Sequence, residues 1–139
     1  MPRRNANTAP KRINHETPVH NDIGDYLRSV LPLVSARTLF HCPNGENRSD
    51  KTGALLKRMG VRRGVADWLF VHEGALYCIE VKVEADPVRG IERTYPRPEQ
   101  KDFERDIVAA GGFYAVCRSI ADTRELLDHW GIPTREVRR

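Results

Sequence analysis

A chain of 139 residues with 40% hydrophobic and 30% charged side chains has the composition of one globular domain and lies far from that of a disordered polymer. Its 23 Lys and Arg against 19 Asp and Glu leave a net charge of +4, a balance that suits polyanionic partners. Three cysteines without a CxxC pair, five histidines scattered along the chain and no run of about 18 apolar residues speak against a disulfide scaffold, a zinc site and a membrane span.

Residues 1–14 carry Arg3, Arg4, Lys11 and Arg12 among two prolines and little apolar material, and read as a flexible basic arm. Thr17-Pro18 looks like a helix N-cap followed by a first-turn proline, and Val19, Ile23, Tyr26, Leu27 and Val30 then recur at helical period until Pro32. If that helix begins slightly earlier, Glu16 projects along its apolar face together with Val19 and Ile23, an unusual place for a glutamate. Thr38–Cys42 reads as a short strand and Pro43-Asn44-Gly45 as a turn. Ser49–Met59 reads as a helix with Leu55, Leu56 and Met59 on its apolar side and Gly60 as its stop. Lys57-Arg58 and Arg62-Arg63 make a basic run around Gly60.

The stretch 66–83 has the pattern of a β-hairpin. With Glu73 and Gly74 as its two loop residues, His72 pairs with Ala75, and the same register continued sets Asp67 opposite Glu80. Ile79-Glu80-Val81-Lys82-Val83 alternates strictly, so Glu80 and Lys82 share one face and three β-branched residues the other. Residues 84–97 form a polar loop with Pro87, Gly90, Pro96 and three arginines, of a length typical of functional or mobile loops. Pro98 opens a helix to about Ala110 whose inward face carries Gln100, Phe103 and Ile107, with Gly111-Gly112 as its stop. Phe113–Cys117 is an apolar strand. The region of Asp122 caps a last helix with Leu126, Leu127 and Trp130, before Gly131 and Pro133, and residues 134–139 read as a basic tail with Arg135, Arg138 and Arg139. The order α, β, α, β-hairpin, α, β, α implies an α/β sandwich, a mixed β-sheet flanked by helices in a single domain over residues 15–133.

Two carboxylates at the ends of paired strands with a lysine beside them form a recognisable chemical set. Magnesium is typically held by one or two carboxylates and keeps open positions for phosphate oxygens and water. Asp67 and Glu80 supply such ligands, and an ammonium on the same face, Lys82, can meet the phosphate or the attacking water. The same spacing also fits a solvated Glu80–Lys82 pair on an outer strand face. The facing register of Asp67, the inward placement of Glu16 and Gln100 and the basic surface favour the catalytic reading.

The run Gly64-Val65-Ala66-Asp67-Trp68, then Ile79-Glu80-Val81-Lys82, Gln100 and Gly111-Gly112-Phe113-Tyr114-Ala115-Val116, with the earlier Pro43-Asn44-Gly45 and Gly60, resembles the virus-type replication-repair nuclease (VRR-NUC) domain of the PD-(D/E)XK superfamily. The resemblance spans about residues 16–130. It implies a restriction-endonuclease-like sandwich and a nuclease whose Mg²⁺, with Mn²⁺ as a substitute, is bound by Asp67, Glu80 and the backbone carbonyl of Val81. Glu16 matches the family's first-helix glutamate, Lys82 its catalytic lysine and Gln100 its helix glutamine. Ala66 departs from the proline that commonly precedes the aspartate; the position shapes the start of the strand and supplies no ligand.

Stand-alone domains of this family are similar to Holliday junction resolvases. The resemblance therefore implies a homodimer acting on branched DNA in repair, since one active site cuts one strand and a junction needs two related by a two-fold axis. Leu126, Leu127 and Trp130 and the helix at 49–59 are candidates for the shared surface, with core packing the expected role of most of them. The alternatives are a non-catalytic DNA-binding module of the same fold and a flap or other repair nuclease. Free cysteines and a polar N-terminus without an apolar stretch lead us to expect a cytoplasmic protein, away from membranes; the family resemblance implies a bacterial or phage-infected host cell.

Overall fold

A tight hairpin organises the structure, a computed structural model that describes residues 13–43 and 50–137. The basic arm through Arg12, Asn44-Gly45 of the expected turn, Ser49 and the last two arginines lie outside the described residues. In chain order the elements are α1 (Glu16–Val30), α2 (Leu33–Ala36), β1 (Phe40–His41), α3 (Asp50–Arg58), β2 (Trp68–His72), β3 (Ala75–Val81), α4 (Pro98–Ala109), β4 (Phe113–Cys117) and α5 (Ile120–His129).

Glu73 and Gly74 both adopt positive φ, 47° and 79°, as a two-residue turn matched to the strand twist requires. The register follows from it: His72 faces Ala75 and Trp68 faces Ile79, as expected from the sequence. Around the hairpin the sheet runs β1-β2-β3-β4, with the first two pairings antiparallel and β3 parallel to β4. α4 is the crossover that a parallel pair needs. The result is the mixed sheet with flanking helices that the element order implied.

The sheet divides the core in two. Ile23, Leu27 and Leu31 from α1 and its end, Phe70, Ile79 and Val81 from the strands and Leu127 from α5 are fully buried on one face. Ala66, Leu69, Cys78 and Phe103 fill a smaller cluster on the α4 side. Leu126 and Trp130 pack against the larger cluster, so the apolar face of α5 is turned to the core.

Several starts and ends differ from expectation for local reasons. α1 begins at Glu16, before Thr17, because Asn14 Oδ1 accepts the N–H groups of Glu16 and Thr17 at 3.0 and 3.3 Å. Pro18 is tolerated inside the first turn, where its missing N–H would have had no helical acceptor. The expected strand Thr38–Cys42 shrinks to two residues because Thr38 joins β2 through its side chain: Oγ1 accepts Val71 N–H at 2.8 Å. Pro32 ends α1 and opens the short α2, a four-residue turn too short to show a helical period in the sequence. Ser119 caps α5 by accepting Asp122 N–H at 3.0 Å, while Asp122 accepts Arg118 N–H at 2.9 Å. The packed chain also continues past residue 133. Arg135 donates to the carbonyls of Arg28 and Leu31 at 2.7 and 2.6 Å and its backbone N–H to Val30 O at 2.7 Å, a cation closing the C-terminus of α1.

Gly24 fixes how closely α1 approaches the sheet. The indole of Trp68 lies directly on it: a Cβ there would collide with Trp68 Cζ2 and come within 2.7 Å of Cε2 and Cη2. Alanine raises helix propensity by about 1 kcal/mol, but overpacking typically destabilises by about 1–3 kcal/mol, and the ring already stacks with His20 and lies under Arg28. Gly24→Ala is therefore expected to lower the urea midpoint, whereas Gly53→Ala in α3, where a Cβ meets nothing within 4 Å, raises it. Equal shifts in the two variants would contradict the packing.

Candidate active site

β3 is the most deeply buried strand, and its end delivers Glu80 and Lys82 to the α4 side of the sheet, 1% and 5% exposed. This rules out a solvated pair on an outer face. Asp67 immediately precedes β2, and its Oδ2 accepts Val81 N–H at 2.8 Å, which ties the carboxylate to the end of β3. Glu16 reaches the same place from the first turn of α1. One carboxylate oxygen each from Glu16, Asp67 and Glu80 lie within 4.8 Å of one another.

Gln100 is held by its own helix. Its Oε1 accepts the N–H of Arg97, the residue before α4, at 2.8 Å, and a backbone N–H can only donate, so the amide has one orientation. Its Nε2 is thereby aimed at Glu80 Oε1, 2.9 Å away. Lys82 Nζ stands 3.5 Å from the same oxygen. The other oxygen, Glu80 Oε2, is buried without a hydrogen-bond partner among the described residues.

Burial, reinforced by the charge of Asp67, pushes the Glu80 carboxyl up to about 9, with Lys82 opposing. Burial also raises Glu16, again aided by Asp67 and opposed by Lys82 and Arg97. Three converging carboxylates, an orphan buried oxygen and an oxygen-only donor set fit a hard divalent cation such as Mg²⁺.

A pH dependence follows for the metal-free protein. The folded state holds the Glu80 proton more tightly than the unfolded chain, so this group's contribution is full below about pH 4.3 and is lost as pH rises toward about 9. His20, which burial shifts down, contributes the opposite slope below its ordinary range, so the comparison with Glu80→Gln isolates the glutamate. In chelator, the parent is expected to lose stability relative to Glu80→Gln between about pH 5 and 8, by at most about 1.4 kcal/mol per unit. Parallel urea midpoints for the two proteins across that window would contradict the assignment.

The acids and Lys82 line a cleft of ≈ 970 Å³ whose walls also include His20, His41, Thr94, Tyr95 and Arg97. None of these five was singled out from the sequence. His20 was legible, since it follows Glu16 by one helical turn and shares its face. Thr94 and Tyr95 belong to the 84–97 loop, which is laced to the body: Val83 N–H donates to Thr94 Oγ1 at 2.8 Å, Thr94 N–H to Val83 O at 3.0 Å, and Asp86 and Ile91 exchange backbone bonds of 2.9 Å. Of the basic run around Gly60, Arg62 is engaged with Asp106 at 2.6 Å and lies over the Phe103 ring.

Neither a protein-family profile nor a curated protein matches the chain. A solved structure described as a VRR_NUC domain protein does, with a TM-score of 0.63 at 19% identity over 86% of this chain and 89% of that one. The chain has the VRR_NUC fold. At this identity the likeness is one of architecture, and it agrees with the sandwich expected from the sequence. Within the VRR_NUC fold as this chain builds it, Asp67 and Glu80 sit at one end of a single hairpin. Their separation is therefore set by strand pairing rather than by a loop.

Proposed function

We propose that the protein is a Mg²⁺-dependent DNA endonuclease, with Mn²⁺ as a substitute metal, that acts on branched DNA as a homodimer. The observation that carries this reading is the convergence of Glu16, Asp67 and Glu80 within 4.8 Å beside the buried ammonium of Lys82, in a cleft of ≈ 970 Å³. Asp67, Glu80 and the carbonyl of Val81 would hold the cation, with Glu16 as a further ligand. When bound, the cation neutralises charge on the scissile phosphate and makes water nucleophilic. Gln100 keeps Glu80 in one orientation, leaving Oε2 for the metal. Lys82 presents its charge toward the phosphate, and Arg97 on the cleft wall attracts the backbone.

The fold likeness to a VRR_NUC domain protein supports the class of chemistry. Dimerisation rests on exposed apolar side chains in and just after α3: Leu55 is 59% exposed and Met59 70%. Because the apolar face of α5 is taken by the core, α3 is the better candidate for the shared surface. Among the described residues no helix is long and apolar enough to cross a membrane.

The test compares labelled four-way junction, flap, duplex and single-stranded DNA with Mg²⁺, with Mn²⁺ and with chelator. Metal-dependent cleavage with symmetric nicks in the junction is the expected result, accompanied by a dimeric mass in light scattering. Binding without cleavage of any substrate would leave a non-catalytic DNA-binding module, and preference for a flap with a monomeric mass would replace the junction reading.

A further inference from the structure

We propose that His20 and His41, with a carboxylate oxygen of Asp67, form a second cation site that takes a late first-row divalent ion of the Zn²⁺ or Co²⁺ type rather than Mg²⁺. One ring nitrogen of each histidine and one oxygen of Asp67 lie within 4.8 Å of one another. The two histidines are distant in sequence, but α1 and β1 bring their ring centroids to 4.4 Å. The scatter along the chain that spoke against a zinc site is thus not a scatter in space.

Both rings are held in place. His41 Nδ1 is 2.7 Å from the backbone carbonyl of Asp67, and a carbonyl only accepts, so Nδ1 carries the proton and the lone pair of the neutral ring is on Nε2. A backbone acceptor that fixes the tautomer and orientation of the ring is the usual support of a metal-binding imidazole. His20 is stacked on Trp68 with centroids 4.6 Å apart, and the indole N–H donates to the His20 carbonyl at 3.0 Å. His20 Nδ1 lies 3.9 Å from Asp67 Oδ1, too far for a hydrogen bond. Ligands on one tetrahedral ion with bonds of about 2.0–2.1 Å sit roughly 3.3 Å apart, so a small movement closes the gap.

The donor set decides the metal. Magnesium prefers oxygen, whereas two imidazoles and one carboxylate suit zinc, cobalt or nickel. Three protein ligands leave a fourth position, and the site lines the same cleft as the carboxylates, so that position is available to water or a phosphate oxygen. Asp67 belongs to both donor sets, and the two ions share it.

The test titrates the full-length, metal-free protein with Co²⁺ at neutral pH and follows its visible ligand-field absorption, a readout independent of any cleavage. One saturable equivalent with the strong absorption of a four-coordinate ion is expected, because Co²⁺ in the six-coordinate, oxygen-only cluster absorbs only weakly. His20→Phe, which preserves the stack on Trp68, and His41→Ala, at an exposed position, should each weaken Co²⁺ binding by at least about tenfold, with circular dichroism confirming the fold. Glu80→Gln, which disables the carboxylate cluster alone, should leave the affinity within about twofold. Parent-like Co²⁺ affinity in both histidine variants overturns the site, as does a thiolate charge-transfer band placing the ion on Cys42. A Glu80→Gln loss as large as the histidine losses would put the ion in the carboxylate cluster and equally overturn it.

Discussion

Asp67→Asn and Glu80→Gln are each expected to reduce Mg²⁺-supported DNA cleavage by about three orders of magnitude or more. Both replacements keep the shape of the side chain and remove one negative oxygen ligand. Glu80 is 1% exposed, and Asp67 is pinned to β3 through Val81 N–H at 2.8 Å, so each variant replaces a charged ligand in place with a neutral one. Losing several kcal/mol of transition-state charge stabilisation corresponds to about a thousandfold, at roughly 1.4 kcal/mol per factor of ten. Affinity for DNA in chelator should change by only a few fold, because phosphate attraction comes from basic side chains outside the carboxylate cluster. Single-turnover rates on labelled junction, read beside a binding isotherm, check both halves. Near-parent turnover in either variant would remove these acids from the reaction.

Lys82→Met should lower the cleavage rate by about 10²–10³, the usual loss for one donor aimed at developing charge, with a much smaller change in affinity. Methionine is the informative replacement. Lys82 is 5% exposed with Nζ 3.5 Å from Glu80 Oε1, and alanine would add a cavity to the loss of the cation. Methionine fills the channel and deletes only the charge. Lys82→Arg should rescue poorly, since a planar fork does not fit where a compact ammonium is enclosed by Glu80 and the strand ends. If affinity fell as far as rate, Lys82 would be a binding residue and its place in the chemistry would be wrong.

The parts of the site that were legible in the sequence are those governed by local rules. Glu73-Gly74 supports a two-residue turn because Gly74 takes positive φ without steric cost, Glu73 being held at 47° beside it, and one turn of that type fixes every pairing down to Trp68 with Ile79. Asp67 and Glu80 are thereby neighbours before any tertiary contact is known. Strict alternation in 79–83 likewise assigns Glu80 and Lys82 to one face, and Pro98 locates the start of α4 and hence the inward turn of Gln100. Gly60 and Gly111 mark the helix ends through their positive φ of 93°.

What the sequence by itself determined, then, is the order of elements, the hairpin register and the grouping of one acid pair with one lysine, because each depends on residues within a few positions or on a strict period. Only the tertiary structure decided which of the remaining polar residues meet. Arg135 reaches back across 107 residues to the end of α1, Thr38 replaces a backbone ladder with its hydroxyl, and His20 and His41 converge on Asp67 from two elements that share no period. The first and last of these depend on how closely α1 settles on the sheet. That distance is set by the indole of Trp68 lying on Gly24, a fit of shapes that no local pattern encodes.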